Sequence, residues 1–139
     1  MEISVKKVND ESDLEKVFEI RRVVFVGEQN CPPELEWENE DVSIHFLATA
    51  SGKPCGACRW RRTENGYKLE RFAVLKEFRG KGIGQKLVST VLSDLPAGAE
   101  PIYLNAQLDA MPLYSKFGFI SEGPQFEEAG IQHFKMVKR

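Results

Sequence analysis

Cysteine is scarce in this chain. There are three, an odd number, which argues against a disulfide framework and fits a reducing compartment. Basic charge is not in surplus either. Nineteen Lys and Arg stand against 21 Asp and Glu, a formal net charge of −2, so no global positive field exists to hold nucleic acid or an anionic membrane surface. No apolar run approaches the ~18 residues of a membrane span, and the opening Met1-Glu2-Ile3-Ser4-Val5 has no signal-peptide core. The expectation is a cytoplasmic protein that engages neither nucleic acid nor membrane. Internal repeats, low-complexity tracts and linkers are also missing, so residues 1–139 read as one domain. A hydrophobic content of 42% is enough for its core without metal or disulfide support.

What is present alternates between two periodicities. Residues 2–8 alternate as a strand, and Ser12-Asp13-Leu14-Glu15 has the form of a capping box before Leu14, Val17, Phe18, Val24 and Phe25, which recur at helical spacing to about residue 27. Cys31-Pro32-Pro33 ends that helix, and Glu34 to Asp41 reads as a loop with a short helix. Three strand-like runs follow, 44–50, 55–62 and 67–75, joined by Ser51-Gly52-Lys53-Pro54 and Glu64-Asn65-Gly66, which makes an antiparallel meander. Leu87, Val88, Val91, Leu92 and Leu95 mark one face of a helix from Ile83. A strand at 101–106, a short helix capped by Asp109 and closed by Gly118, and strands at 119–120 and 133–137 complete a mixed α/β order, β-α-β-β-β-α-β-α-β-β.

Cys55-Gly56-Ala57-Cys58 has CxxC spacing but lies in a strand. Residues three apart on a regular strand point to opposite faces, so these two thiols are expected to be structural, with no metal and no disulfide between them.

The strongest local signal is the passage from a strand ending at Leu75 through Arg79-Gly80-Lys81-Gly82-Ile83-Gly84 into an amphipathic helix. Glycines at 80, 82 and 84 allow a tight turn that brings N–H groups close to a ligand, and the helix N-terminus adds a positive dipole end. A phosphate is the expected occupant, with Arg79 and Lys81 adding charge. A Walker A loop, GxxxxGK(S/T), is absent, and the dinucleotide fingerprint GxGxxG fails because position 85 is Gln.

The turn matches (Q/R)xxGx(G/A), and it resembles the acetyl-CoA signature of the GNAT superfamily of N-acetyltransferases. Leu104-Asn105-Ala106-Gln107 and Leu113-Tyr114-Ser115-Lys116-Phe117-Gly118-Phe119 are similar to that family's second motif, a YxKxGF helix after a splayed strand. Arg22, Val24-Phe25-Val26, Glu28-Gln29 and Gly130-Ile131-Gln132-His133 resemble its small ElaA-like and YjcF-like bacterial branch. The resemblance spans nearly the whole chain. It implies a GNAT fold, a mostly antiparallel central sheet splayed between two strands and flanked by helices. It also implies acetyl-CoA as cosubstrate, no metal, and direct transfer to an amine, most simply a small molecule; the homodimer option stays open.

By that resemblance Arg79 to Gly84 grip the pyrophosphate, Phe72-Ala73-Val74 offer backbone groups to the pantetheine and thioester, and Asn105, Tyr114 and Phe117 lie beside the cofactor. Acyl transfer needs a neutral nucleophile, a stabilised oxyanion and a protonated leaving thiolate. Tyr114 is the expected acid. Glu70, on the face of Phe72 and Val74, is the first choice of base, ahead of His133 and Glu28. The acidic residues Glu34, Glu36, Glu38, Glu40 and Asp41 suit steering of a cationic amine, a polyamine, an aminosugar or a lysine-like acceptor. Cys31 is weighed as an acyl-carrying nucleophile and set behind direct transfer. Two rival readings stand beside the enzyme: a non-catalytic acyl-CoA sensor, and an interaction protein with a vestigial turn.

Overall fold

In the computed structural model, residues 2–29 and 42–138 are described. Strands β1 (Ile3–Lys7), β2 (Ile44–Ala50), β3 (Lys53–Thr63) and β4 (Gly66–Val74) run antiparallel in sequence order, with short turns joining β2, β3 and β4. Strands β5 (Ile102–Gln107), β6 (Phe119–Glu128) and β7 (Ile131–Lys138) extend the same seven-stranded sheet, in the order β1-β2-β3-β4-β5-β7-β6. Helix α1 (Glu11–Arg21) runs into a π-helical stretch, Arg22–Glu28; α2 (Ile83–Asp94) connects β4 to β5, and α3 (Met111–Ser115) follows β5. Among the described residues no helix is long and apolar enough to cross a membrane.

The sheet is covered on both faces, which explains why β2 and β3 read as near-continuous apolar runs. Phe46, Ala48, Leu69, Leu87, Val88 and Val91 belong to the larger core cluster, beneath α2 and α3, while Val17, Ile20, Leu47, Ala57 and Ala73 form a second one beneath α1. A side chain at Gly56 would meet the Ala73 carbonyl at 3.1 Å and Ile83 at 3.2 Å, so glycine lets α2 lie close on the sheet. Asp94 fixes the far end of that helix, accepting from Trp60 Nε1 at 2.9 Å and Lys7 Nζ at 3.2 Å.

Several local expectations change. Asp10, not Ser12, caps α1, its carboxylate accepting from the Asp13 amide at 2.8 Å. The helix does not continue as α past Arg21: the run Val23-Val24-Phe25-Val26 is β-branched and aromatic, poorly suited to α geometry, and the Gln29 amide donates to the Val24 carbonyl five residues back. Asp109 does not cap α3, whose N-cap is Ala110 without a side-chain bond, whereas Gly118 does adopt the left-handed φ of 89°. Strand β6 is ten residues rather than two; its outer positions are exposed and polar, and pairing with β7 rather than apolar alternation holds it.

Two irregularities shape the middle of the sheet. Opposite Ala48 and Thr49, β3 carries Cys55 as an extra residue, which resets the alternation, so Cys55 and Cys58 share one core cluster instead of facing opposite ways. Both are free thiols whose pKa burial pushes up, Cys58 strongly, which leaves them inert packing groups. Further along, Ala57 pairs with Ala73 but Arg59 with Glu70, so Arg71 and Phe72 together oppose Cys58; Arg71 takes φ 60° at this bulge.

Candidate functional site

Strands β4 and β5 are parallel and pair only at Tyr67↔Ile102 and Lys68↔Tyr103. Beyond that point β5 pairs with β7 through Gln107, and β4 continues to Val74 with β3 alone. The sheet therefore splits, and main-chain groups on the freed edge of β4 have no ladder partner there. A cavity of about 650 Å³ fills the split, lined by Leu69 to Val74 on one side and Leu104, Asn105, Gln107 and Tyr114 on the other. Gln107 Nε2 donates to Gln29 Oε1 at 2.9 Å and ties the end of β5 to the end of the π stretch.

The glycine turn forms one end of this cavity. Gly80 and Gly82 take φ of 78° and 84°, and a side chain built on either would meet nothing within 4 Å, so both conformation and open space are reserved for backbone. Gly82 is the N-cap of α2 without a side-chain bond, and the first helical bond is Lys86 N–H to the Gly82 carbonyl at 3.1 Å. The amides of Ile83, Gly84 and Gln85 precede it and point out of the helix end, where the dipole favours an anion. Gly84 serves differently from its neighbours: a Cβ there would meet Leu113 at 3.3 Å, so it lets α3 approach α2.

Arg79 does not add free charge to this turn. Its fork is bidentate on Glu28, at 2.7 and 2.8 Å, and its Nε donates to the Val74 carbonyl at 2.9 Å, so it latches the π stretch to the turn. Hydrogen bonding from Arg79 lowers the pKa of Glu28 and occupies both of its oxygens, which makes its carboxylate a weaker base. Lys81 is exposed at the turn and does not line the cavity, although Gly80, Gly82, Ile83 and Gly84 do. Phe117 is likewise absent from the lining; it packs against the larger core cluster.

Tyr114 is 6% exposed, lines the cavity, and holds its ring edge-on to Phe72 at 5.5 Å and to Phe119 at 6.2 Å. Burial, with a smaller contribution from Cys58, pushes its phenol well above the ordinary value. It is therefore a neutral hydrogen-bond donor, and giving up its proton outright would leave a phenolate among aromatic rings. Asn105 also lines the cavity, and its side-chain amide makes no bond to a described residue.

Glu70, first choice of base from its strand position, is poorly suited to that role. Arg59 NH2 lies 2.9 Å and Arg61 Nε 2.6 Å from its Oε1, with Lys68 Nζ 3.4 Å from Oε2. Burial alone would raise its pKa, but the charges of Arg59, Lys68 and Arg61 outweigh burial and hold the carboxyl at about 2. A carboxylate so stabilised has little affinity for a proton. His133 is better placed to take one. Its Nδ1 lies 2.7 Å from the Ile131 carbonyl, an acceptor only, so Nδ1 carries the hydrogen and the neutral ring keeps its lone pair on Nε2, 3.7 Å from Glu128 Oε2. The ring stacks on Phe126 at 5.7 Å and lines the same cavity.

Arg59, Arg61, Lys68 and Glu128 were not singled out from sequence, and Gln29 and Gln107 entered only as members of motifs, without a role. The signal was there: a two-residue turn at Glu64-Asn65 sets Arg61 opposite Lys68 and, two pairs on, Arg59 opposite Glu70. Cys31 and the acidic residues Glu34, Glu36, Glu38, Glu40 and Asp41 lie outside the described residues. Among the described residues, no group of three His, Cys, Asp or Glu side chains could hold a metal ion.

A glycine turn opening a helix beside a split between two parallel strands, with an antiparallel sheet on either side, defines an acyl-CoA N-acyltransferase fold. Residues 14–139 match the family model for the acetyltransferase (GNAT) domain. The chain is 40% identical over 134 residues to the Bacillus subtilis protein described as uncharacterized N-acetyltransferase YjcF, covering 93% of this chain and 94% of that protein. Among solved structures, Escherichia coli ElaA superposes with a TM-score of 0.87 at 26% identity, covering 99% of this chain and 100% of its own. A GNAT acetyltransferase of Elizabethkingia anophelis, solved with acetyl-CoA bound, superposes at 0.73 with 15% identity over 97% and 94% of the two chains. The chain belongs to the GNAT family and is an acetyl-CoA-dependent acetyltransferase.

Proposed function

We propose that this protein transfers the acetyl group of acetyl-CoA directly to the amine of a small molecule, both substrates being bound in the split between β4 and β5. The observation that carries the reading is the pairing of outward amides at Ile83, Gly84 and Gln85 with a cavity whose wall is the freed edge of β4. In this reading the turn holds the pyrophosphate by main chain, with Lys81 adding charge from outside, and Asn105 bonds the pantetheine arm. Main-chain N–H groups of the Phe72–Val74 segment face the thioester oxygen and stabilise the charge that develops on it.

The acceptor ammonium must lose two hydrogens from nitrogen, one before it attacks the thioester carbon and one after the C–N bond forms. His133 Nε2 receives them in turn and passes them to solvent, the imidazolium being stabilised by Glu128. When the C–S bond breaks its electron pair goes to sulfur, Tyr114 donates a hydrogen bond to it, and one of the two released protons ends on the thiol. The balance is one ammonium and one thioester giving one amide, one thiol and one proton.

Two measurements test this. Acetyl-CoA at about a hundred times its dissociation constant should stabilise the protein by roughly 2.7 kcal/mol in a thermal melt. With a panel of amines, native protein should release free thiol, and Tyr114→Phe should bind acetyl-CoA as before but lose roughly a hundredfold in kcat. Binding without thiol release from any amine would favour the non-catalytic sensor, and equal turnover by Tyr114→Phe would remove the role given to that hydroxyl.

A further inference from the structure

Away from the glycine turn, the described residues lining the cavity include four cations, Arg59, Arg61, Lys68 and Arg71, and two carboxylates, Glu70 and Glu128, with Arg59 and Arg71 each making further interactions. The imbalance is tightest around Glu70, which alone faces three of them. Arg61 and Lys68 are directly opposed across β3 and β4, and Glu70 beside them, 2.6 Å from Arg61 and 3.4 Å from Lys68, offsets only one of the two like charges. Their side chains are only 19% and 16% exposed, so solvent screens them poorly. Arg61 reaches Glu70 through Nε, and its two terminal nitrogens bond to no described residue. Arg61 lines the cavity, so its fork keeps bidentate capacity for an anion there.

We propose that the acceptor amine carries a carboxylate, as an amino acid does, and that Arg61 and Lys68 bind this carboxylate while the amino group reaches the freed edge of β4. This rests on the acetyl-transfer reading above and narrows its substrate class. The same positive surroundings serve the chemistry, because they disfavour an ammonium and so release the neutral amine that attack requires. A polyamine, which the acidic residues at 34–41 suggested, would instead bring cations against cations.

The test compares L-amino acids with their carboxamides and with spermidine, following thiol release. Amino acids should exceed their carboxamides about tenfold or more in kcat/KM, the worth of one charge-assisted contact. Arg61→Gln and Lys68→Gln should each bring that ratio toward one, chiefly through KM, and Arg61→Lys should keep part of it; melting curves establish that each variant is folded. Carboxamides or spermidine equal to or better than amino acids would overturn the proposal, as would an unchanged ratio in both Gln variants. If no amine is turned over, the acetyl-transfer reading fails, and binding decides the rest. Stabilisation of the CoA-bound protein by N-acetyl amino acids but not by their amides upholds carboxylate recognition, and stabilisation by neither overturns it.

Discussion

The two ends of the cleft are built from different parts of the chain. At the glycine turn the ligand meets main chain: Gly80 and Gly82 leave open space, the amides before Lys86 are unbonded within the helix, and the nearest arginine is occupied by Glu28. At the other end it meets side chains, with Arg59, Arg61 and Lys68 crowded on one carboxylate. Oriented amides form an anion site without carrying net charge, so they need no neutralising partner when empty. Buried cations do need one, and Glu70 is consumed in supplying it. On the proposed function the first end is indifferent to the acceptor, and the second selects among acceptors.

That contrast can be broken most sharply at His133. Replacing it with Gln should lower kcat by about a hundredfold or more, while binding of acetyl-CoA at the other end is retained. An unchanged kcat would take the base away from this residue. Glu70→Gln probes the same end through stability. Because the native carboxyl is held at about 2, below its ordinary 4.5, its stabilising contribution is complete above about pH 4.5 and disappears as pH falls through 2. At neutral pH the variant leaves Arg59, 1% exposed, without its carboxylate, and should lose about 3 kcal/mol in a denaturation curve. The native and variant curves should converge in acid; a constant gap would show that Glu70 acts otherwise.

The same division governs what the sequence could say. The glycine turn was legible because glycine at positive φ before an amphipathic helix leaves few alternatives, and the meander was legible because Ser51-Gly52 and Glu64-Asn65-Gly66 punctuate it. Glu70 was legible as a residue on the correct face but not as a neutralised one. Alternation along β4 names its face, whereas the cations belong to β3 and enter only through the hairpin register. The bulge at Arg71 escaped because it inserts one residue with no Gly or Pro to mark it; the bulge at Cys55 lies between Pro54 and Gly56, but Pro54 reads as the end of the preceding turn, and the inserted residue reversed the expected facing of the cysteines. The π stretch escaped because apolar spacing alone does not separate i+4 from i+5 bonding.

The backbone phosphate site is the claim on which the rest depends, and calorimetric titration with pantetheine and with phosphopantetheine isolates it. Native protein should bind phosphopantetheine about tenfold or more tighter, and Gly82→Ala, which forces a side chain into left-handed backbone at a cost of roughly 1–2 kcal/mol, should narrow that gap. Equal affinities for the two ligands in native protein would contradict a phosphate held by the amides that open α2.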